Sequence, residues 1–441
     1  MPRHRSHSFP VLIAAALAVS RALAGPAAGG APATSARRPN ILFILTDDQR
    51  WDSMGAAGNK SIRTPALDRL AAGGARLDAF YVSSPLCSPS RASLLSGLYP
   101  HQTGVENNAG RRDLPDGTRT IAAALNQAGY LTGFIGKAHL GGEPAAWGFK
   151  ESPIYYPYAQ LRDPTDPEFV SGGATKKVKG TASQVFADAA IKFLETHRSD
   201  TFFLWLATTS PHEPHRLYPD HPYARGAITA PPGWPPGETF GGADWDAYYS
   251  TVTEMDAHLG RVLDALDRLG LAQNTFVLMT SDNGYMMRSH GQKAKIVWYE
   301  ESSRVPALAR WPGRIRAGSV VPFPASAVDL FPTFLDVAGV TAPPARGMEG
   351  KSLLPALTEG RQTRQRAYSE AKLPKDMEGT YWQMVRDDRW KYVRFDTGIE
   401  MLYDLVADPH EKKNLGKDTA SAPRRAAMKT ELDRWLAATP R

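Results

Sequence analysis

Residues Ser83–Gly97 read SSPLCSPSRASLLSG and include Cys87, the only cysteine in the 441-residue chain. Ser88 is a candidate helix N-cap, Pro89 suits the first helical position, and Gly97 suits the residue that ends a helix. The stretch therefore predicts a helix that begins next to Cys87. Free backbone N–H groups and the positive end of the helix dipole gather at such a position and favour an anion.

Three interpretations of Cys87 follow from this position. The residue is a thiol nucleophile with a lowered pKa, part of an anion-binding loop that also uses Arg91 one turn later, or a buried cysteine without a chemical role. A single cysteine excludes an internal disulfide framework, and a chain of this length can form a large core without one. The residues alone leave the three interpretations open.

The first 24 residues have the features of a secretory signal peptide. They combine a basic start, an apolar run over Phe9–Val19 and a small-residue cleavage site at Ala22–Ala24. The apolar run is too short to span a membrane, and no later stretch has the roughly 20 apolar residues that a span requires. We therefore expect an exported protein, periplasmic or secreted, without a membrane anchor, in which residues 25–38 form a flexible leader. Because an unpaired thiol is easily oxidised outside the cytosol, export favours a chemical role for Cys87.

The charge of the chain gives little support to nucleic-acid binding. The formal net charge is +7, and removal of the three arginines of the signal, which has no acidic residue, lowers it to +4. The remaining charges are scattered and form no block rich in Lys and Arg. A small anionic substrate is compatible with this balance.

Short apolar runs alternate with amphipathic helical patterns along most of the chain. Residues 249–269, for example, place their Val, Leu and Met side chains on one helical face. This alternation predicts an α/β fold with a mainly parallel sheet and helices on both faces. The predicted buried strands are Ile41–Thr46, Tyr130–Ile135, Phe202–Ala207 and Thr275–Thr280.

Polar clusters follow these strands directly. In a parallel sheet the carboxyl ends of the strands meet at one edge, where ligands bind, so the clusters are expected to converge although they are far apart in sequence. Each cluster taken singly is as easily explained as a turn or a cap, but four of them together favour a functional site. Their members are Asp47 and Asp48, Lys137 and His139, His212, and Asp282 and Asn283.

The side chains in these clusters indicate a cation site next to an anion site. Asp47, Asp48, Asp282 and Asn283 offer oxygen ligands, which suit Ca²⁺ or Mg²⁺ and fit zinc poorly.

Lys137 and His139 are two residues apart and project to one side if the segment is extended. With Arg91 and a cation they would surround a tetrahedral anion.

Two regions depart from the alternation. Residues 144–158 and 213–245 are rich in aromatic residues, the second also in Pro and Gly, and read as long irregular loops that either wall a cleft or pack over the core. Beyond Leu357 the pattern changes to a hairpin of Thr380–Val385 and Arg389–Arg394, a strand at Met401–Asp404 and a helix at Pro423–Ala438. We therefore divide the chain into a main domain, residues 39–360, and a small C-terminal α+β domain with an antiparallel sheet, residues 361–441.

The sequence Cys87-Ser88-Pro89-Ser90-Arg91, with Leu95 and Gly97 behind it, resembles the Cys-x-Pro-Ser-Arg signature of type I sulfatases. The resemblance implies an alkaline-phosphatase-like fold and a catalytic role for residues 39–360. It also implies that a formylglycine-generating or sulfatase-maturating enzyme oxidises Cys87 to Cα-formylglycine, whose hydrated aldehyde would be the nucleophile in place of a thiolate. The similarity covers nearly the whole mature chain, namely Asn40–Gln49, Thr120–Gly141, Ser210–Pro214, Tyr249–Gly284, Lys295–Pro306 and Met401–Leu415.

The resemblance also implies a role for each clustered residue. Arg91 would steady the formylglycine hydrate, Lys137 would contact sulfate, and His139 would be the base that deprotonates the second hydroxyl of the hydrate. The implied Ca²⁺ ligands, with Mg²⁺ as the other candidate ion, are Asp47, Asp48, Asp282, Asn283 and an oxygen of the modified Cys87.

His212 would act as acid or leaving-group partner, with Lys295 beside it. We choose Lys295 over Lys293 because the family lysine precedes the Tyr-Glu-Glu-Ser element, here Tyr299–Ser302, by four residues. Ala138 stands where the family commonly has Trp, which concerns packing or substrate fit and leaves the reaction unaffected.

These residues lead us to expect a sulfuric-ester hydrolase that acts on a sulfated carbohydrate or an aryl sulfate. The alternative is a phosphonate monoester or phosphodiester hydrolase, which shares the fold and the formylglycine. A non-catalytic binding protein is a third reading, and the intact set of nucleophile, acidic and basic residues argues against it.

Overall fold

The computed structural model describes residues 38–109, 112–162, 164–220, 223–224, 228–240, 243–340, 347–373 and 381–441. The predicted signal peptide, residues 1–24, lies outside the described residues, as does the predicted leader apart from residue 38.

The described strands are short, and those at the centre of the large sheet are six or seven residues long. They are β1 (Asn40–Thr46), β2 (Ala75–Leu77), β3 (Phe80–Tyr81), β4 (Leu131–Lys137), β5 (Glu151–Tyr156), β6 (Glu168–Ser171), β7 (Ala174–Lys177), β8 (Phe202–Ala207), β9 (Thr275–Ser281), β10 (Ala307–Arg310), β11 (Ser319–Val321), β12 (Ala325–Ser326), β13 (Ala367–Lys372), β14 (Tyr381–Arg386), β15 (Trp390–Phe395) and β16 (Glu400–Asp404).

The described α-helices lie mostly between these strands. They are α1 (Pro65–Ala72), α2 (Cys87–Ser96), α3 (Pro100–Thr103), α4 (Ile121–Gln127), α5 (Ala182–Thr196), α6 (Ala243–Arg268), α7 (Glu300–Ser303), α8 (Leu330–Val337), α9 (Leu354–Glu359) and α10 (Ala422–Ala438). Single 3₁₀ turns occur at Gly55–Ala57, Pro144–Trp147, Ala272–Asn274, Ser289–Gly291 and Ala327–Asp329.

Ten strands form one sheet in the order β11-β2-β10-β9-β1-β8-β4-β5-β6-β7. The five central strands, from β9 to β5, are mutually parallel, whereas β10, β6 and β7 pair antiparallel with their neighbours. The structure therefore confirms the predicted mainly parallel α/β sheet. The predicted bounds of β8 are confirmed at both ends, and β1 begins one residue before its predicted start.

Helices cover both faces of the sheet. Along β1, Ile41, Phe43 and Leu45 belong to one hydrophobic core, and Leu42 and Ile44 belong to a second core on the opposite face. The first core includes residues of α2, α4 and α8, and the second includes residues of α1, α5 and α6. Because both faces of β1 are buried, its sequence is continuously apolar and does not alternate.

The C-terminal strands form a separate antiparallel sheet in the order β13-β14-β15-β16. The hairpin of β14 and β15 and the helix α10 confirm the predicted antiparallel α+β region. Thr380, the first residue of the predicted hairpin, lies outside the described residues. The domain boundary between residues 360 and 361 stays a prediction.

Two local predictions are wrong. Helix α2 starts at Cys87 with the extended residue Leu86 as its N-cap, and the Ser88 hydroxyl donates a hydrogen bond to the His139 carbonyl oxygen (2.8 Å) in place of capping the helix. The predicted loop over residues 144–158 contains strand β5, which joins the edge of the parallel part of the sheet beside β4. The predicted helix end is confirmed, since Gly97 adopts a left-handed φ of 73°.

Candidate active site

The candidate site lies at the carboxyl edge of the large sheet, where β1, β4, β8 and β9 end beside one another. Backbone hydrogen bonds hold the chain just beyond these strands. The amide of Asp47 donates to the Ser210 carbonyl oxygen (3.1 Å), and the amide of Asp282 donates to the Thr46 carbonyl oxygen (3.0 Å). The structure thus brings together the polar clusters that the sequence places after four different strands.

Cys87 lies at the centre of this edge and is only 1% exposed. Its Sγ atom is 2.9 Å from Nζ of Lys295, 3.6 Å from Oδ1 of Asp47 and 4.0 Å from Nζ of Lys137. As the first residue of α2, Cys87 occupies the helix N-terminus that the sequence predicts. The predicted surroundings that favour an anion are therefore present, since a helix N-terminus and two lysine ammonium groups lie at Cys87.

The interpretation of Cys87 as a low-pKa thiol is wrong for the unmodified residue. Burial raises the pKa of the Cys87 thiol to about 12, and the ammonium groups of Lys137 and Lys295 offset only part of this effect. At neutral pH the side chain is therefore a neutral thiol, which is a poor nucleophile.

Arg91 joins α2 to two strand ends. Its Nε donates to Oδ2 of Asp282 (2.9 Å), its Nη2 forms an ion pair with the same oxygen at 2.8 Å, and its Nη1 donates to the carbonyl oxygen of Lys137 (2.6 Å). The Lys137 ammonium group in turn contacts Oδ2 of Asp47. Arg91 therefore faces the site, as its spacing of one helical turn from Cys87 predicts.

Asp48 carries the feature that best fits a metal ligand. Its Oδ1 accepts from Nδ2 of Asn283 (2.6 Å) and contacts the Lys295 ammonium group, whereas its buried Oδ2 has no hydrogen-bond partner among the described residues. Burial raises the pKa of Asp48, but the positive charges of Lys295 and His212 together lower it by more. The net pKa of Asp48 therefore lies below its ordinary value. An ionised, buried and partly unpaired carboxylate suits a hard cation.

The group of potential ligands differs in part from the predicted one. Single ligand atoms of Asp47, Asp48, Cys87 and His212 all lie within 4.8 Å of one another. His212 thus adds a nitrogen donor to a site predicted to use oxygen alone, with its Nε2 3.7 Å from Oδ2 of Asp48.

Asp282 and Asn283 border the same space. The Asp282 Oδ1 accepts from the Asp48 amide (3.3 Å), and the Asn283 Oδ1 lies 3.5 Å from Nζ of Lys295.

The charged side chains around Cys87 have a net charge of zero when no metal is bound. Three carboxylates and three basic side chains cancel, so one bound divalent cation would leave a net charge of +2 at a buried site, which favours an anionic substrate. The six groups are Asp47, Asp48, Asp282, Arg91, Lys137 and Lys295.

His139 reaches the site by a route that the sequence does not predict. Lys137 is the last residue of β4, but His139 has a left-handed φ of 49°, so the prediction of one extended segment that carries both side chains is wrong. Burial lowers the pKa of His139 far below its ordinary value, and Lys137 and Arg91 lower it further. His139 is therefore a neutral imidazole, and neither of its ring nitrogens has a hydrogen-bond partner in the described part of the chain.

The choice of Lys295 over Lys293 agrees with the geometry. Lys295 contacts both Cys87 and Asp48, whereas Lys293 lines a neighbouring cavity and is exposed. Sequence reasoning missed Asn108, whose Oδ1 accepts from the Ser88 amide (3.0 Å) at the first turn of α2. Nothing in the residues around Asn108 signals that contact, because it depends on the tertiary fold.

The cavity beside the site has a volume of about 320 Å³. It adjoins His212 through Glu213, and part of its wall comes from the predicted loop 213–245, although residues 221–222, 225–227 and 241–242 of that loop lie outside the described residues. Trp234 and Phe240 of the same loop pack against Trp245 in the second core. The described part of the loop therefore both walls a cleft and packs over the core, the two roles between which the sequence did not decide.

The mainly parallel sheet, the helices on both faces and the cluster at its carboxyl edge define an alkaline-phosphatase-like hydrolase. The chain belongs to the sulfatase family, because the family's sequence profile matches residues 39–340. A second profile, N-sulphoglucosamine sulphohydrolase, C-terminal, matches residues 289–438. The protein is thus an enzyme of the sulfuric-ester hydrolase class.

Known sulfatases resemble the chain over most of its length. Human N-acetylgalactosamine-6-sulfatase is 34% identical over 76% of this chain and 68% of its own length. N-acetylglucosamine-6-O-sulfatase of Bacteroides thetaiotaomicron is 29% identical over 86% of this chain and 83% of its own. The solved structure of BT4656 in complex with its substrate D-glucosamine-2-N,6-O-disulfate superposes with a TM-score of 0.81 at 27% identity, over 91% of this chain and 98% of that one.

Proposed function

We propose that the enzyme releases inorganic sulfate from a sulfated carbohydrate, with a 6-O-sulfated amino sugar as the first candidate substrate. The names of the two relatives and the ligand of the superposed structure share a 6-O-sulfated amino sugar, which supports this choice. The observation that carries the proposal is the position of Cys87, whose Sγ lies 2.9 and 4.0 Å from two lysine ammonium groups beside buried carboxylates.

The nucleophile is Cα-formylglycine made from Cys87 by a maturing enzyme. A neutral, buried thiol cannot attack a sulfate ester effectively, which supports conversion to a different group at the same point. Lys137, Lys295 and Arg91 place positive charge around that point. They bind the sulfate oxygens and stabilise the negative charge that develops on them.

A divalent cation, Ca²⁺ or alternatively Mg²⁺, would be held by Asp47, Asp48, Asp282, Asn283 and an oxygen of the modified Cys87. The unpaired Oδ2 of Asp48 and the oxygen-rich donor set support a hard cation. When bound, the ion supplies Lewis-acid polarisation of the sulfate group.

The two histidines divide the proton transfers. His139 is neutral and its ring nitrogens are unpaired among the described residues, so one of them carries a free lone pair that can receive the proton of the nucleophile. Burial and the nearby cations oppose this protonation, and the negative charge of a bound sulfate ester would offset the cations. His212 donates from Nδ1 to the Glu213 carbonyl oxygen (2.8 Å), which leaves Nε2 on the side of Asp48, 3.7 Å from its Oδ2. His212 is therefore the acid or leaving-group partner.

The cavity next to His212 holds the sugar. Tyr285 offers the edge of an aromatic ring, and Glu213, His215 and Asp244 offer hydrogen-bonding groups to hydroxyls. A concave site with a few convergent polar groups is the usual form of a small-molecule site.

The enzyme acts outside the cytoplasm, in the periplasm or as a secreted protein. The features of residues 1–24 support export. Separately, none of the helices in the described residues is both long and apolar enough to cross a membrane.

Intact-protein mass and turnover test the proposal together. Conversion of Cys87 lowers the mass by about 18 Da, and Cys87→Ala abolishes sulfate release while the fold survives.

The matured enzyme is tested on 6-O- and 2-O-sulfated amino sugars, an aryl sulfate and a phosphate diester. Chelation removes activity, and Ca²⁺ or Mg²⁺ restores it. A preference for the diester by orders of magnitude, or full turnover by the Cys87→Ala variant, would refute the proposal.

A further inference from the structure

Ile296, the residue after Lys295, has an unfavourable backbone conformation. Its φ is 77°, in the left-handed region that a β-branched side chain rarely enters. Among the described non-glycine residues with positive φ, Ile296 alone is β-branched. Such a conformation persists only when the surrounding structure holds it.

Three hydrogen bonds from different parts of the chain hold the segment around Lys295. The amide of Met286 donates to the Ala294 carbonyl oxygen (2.6 Å), and the Ile296 amide donates to the Pro85 carbonyl oxygen (3.2 Å). The third bond comes from the C-terminal sheet, where Nε1 of Trp382 donates to the Ile296 carbonyl oxygen (2.8 Å). The backbone on both sides of Lys295 is thereby fixed.

Trp382 is well suited to hold this carbonyl group. It is fully buried in β14, opposite Ala371 of β13 and Phe395 of β15. Its ring meets Trp298 edge to face at 6.3 Å. The indole has one N–H group, and that group is used on the Ile296 carbonyl oxygen.

We propose that Trp382 is a positioning residue of the sulfatase reaction. It holds Ile296 in its left-handed conformation and thereby keeps the Lys295 ammonium group in contact with residue 87. The inference rests on the proposed function, because it assigns Trp382 an effect that passes through Lys295. It makes the C-terminal antiparallel sheet a contributor to catalysis as well as a structural region.

A double-mutant cycle on the matured enzyme tests the inference. Trp382→Phe keeps an aromatic ring and removes the N–H donor, and we expect kcat/KM for the best sulfated substrate to fall about tenfold. In the Lys295→Ala background the same change should cost less than about twofold, because the group that Trp382 positions is gone. Trp435→Phe is the control, since Trp435 is a buried tryptophan of the C-terminal region whose Nε1 has no hydrogen-bond partner among the described residues.

Each outcome is decisive. Equal losses in both backgrounds, or no loss in the native background, overturn the inference. If Trp382→Phe does not fold, the cycle is repeated with benzothienylalanine at position 382, which keeps the ring shape and replaces the N–H with sulfur. Absence of sulfatase turnover in the native enzyme would refute the proposed function instead, so the two failures are distinguishable.

Discussion

Two lysines that stand two residues apart differ sharply in their surroundings. Lys295 contacts Cys87 and Asp48, and Asp48 raises the pKa of Lys295 well above its ordinary value although burial acts against it. Lys295 therefore carries a permanent positive charge next to the reacting group. Lys293 is exposed on the wall of the neighbouring cavity.

This contrast predicts different effects of the same substitution. Lys295→Met should lower kcat/KM for sulfate release at least about a hundredfold, because it removes a charge that stabilises the transition state. Lys293→Met is the matched control. Because Lys293 lines the cavity proposed to hold the sugar, the change can raise KM, but it should leave kcat within about threefold, whereas Lys295→Met should lower kcat itself. Steady-state kinetics of the two variants on one substrate measure the difference. Similar losses for both would contradict the assignment of Lys295.

At the residue scale, the sequence predicts the members of the site better than their geometry. Residue types and their places after strands are local properties, so Asp47, Asp48 and Asp282 could be identified directly. The left-handed turn at His139 and the unusual backbone of Ile296 are imposed by tertiary contacts, and their side chains give no sign of them. The same reason explains why Ser88 does not cap α2.

At the element scale, His101 links the short helix α3 to the C-terminal sheet and to the end of the chain. Its Nδ1 lies 2.7 Å from Oε1 of Glu370 in β13, and its Nε2 donates to the Thr439 carbonyl oxygen (2.6 Å) just after α10. Burial lowers the pKa of His101, but the hydrogen bond to Glu370, the negative charge of Glu370 and the hydrogen bond to Thr439 together raise it by more, so the net pKa is above its ordinary value. The folded protein therefore favours the charged imidazolium.

The pH dependence follows from the sign of this shift. A group whose pKa is raised on folding stabilises the fold fully below its unfolded-state pKa of about 6.5, and the stabilisation is lost as the pH rises through the folded-state pKa. We predict that His101→Gln lowers the melting temperature by several degrees at about pH 5.5 and by clearly less at about pH 8.5. Thermal unfolding of both proteins across this range provides the measurement. A constant difference at all pH values would contradict the prediction.

The strands show where sequence patterns are sufficient. β1, β8 and β9 are buried on both faces, so they read as uninterrupted apolar runs between polar residues and are found to within a residue. β5 was missed because Glu-Ser-Pro begins it, and only its last three residues, Ile154–Tyr156, are buried. A strand that is half exposed and contains proline looks like a loop until its partner is known.

At the scale of the whole molecule, a buried ion-pair cluster joins the antiparallel sheet to the segment that follows Lys295. Lys391 in β15 is fully buried, and its Nζ contacts Oε1 of Glu300 (2.6 Å), Oε1 of Glu411 (2.8 Å) and the Trp298 carbonyl oxygen (2.9 Å). The antiparallel sheet is therefore joined to Trp298 and to the start of α7 by charge as well as by apolar packing.

Removal of this lysine should destabilise the whole fold. Lys391→Met leaves Glu411 buried without its cation and leaves Glu300 with Arg304 alone, and we expect a loss of about 3–5 kcal/mol in the free energy of unfolding. Lys429→Met is the control, because its pair with Asp433 is exposed and should contribute below about 1 kcal/mol. Urea unfolding of both variants gives the comparison. A loss for Lys391→Met no larger than that of the control would show that the cluster contributes little.

The burial of Cys87 also constrains events in time. With 1% of its surface exposed, the side chain cannot be reached by another protein once β1, β9 and α2 have packed around it. A maturing enzyme that converts Cys87 would therefore have to meet this stretch while the chain is still unfolded. In that case the chemical modification of Cys87 would come first, and folding would then bury the modified residue.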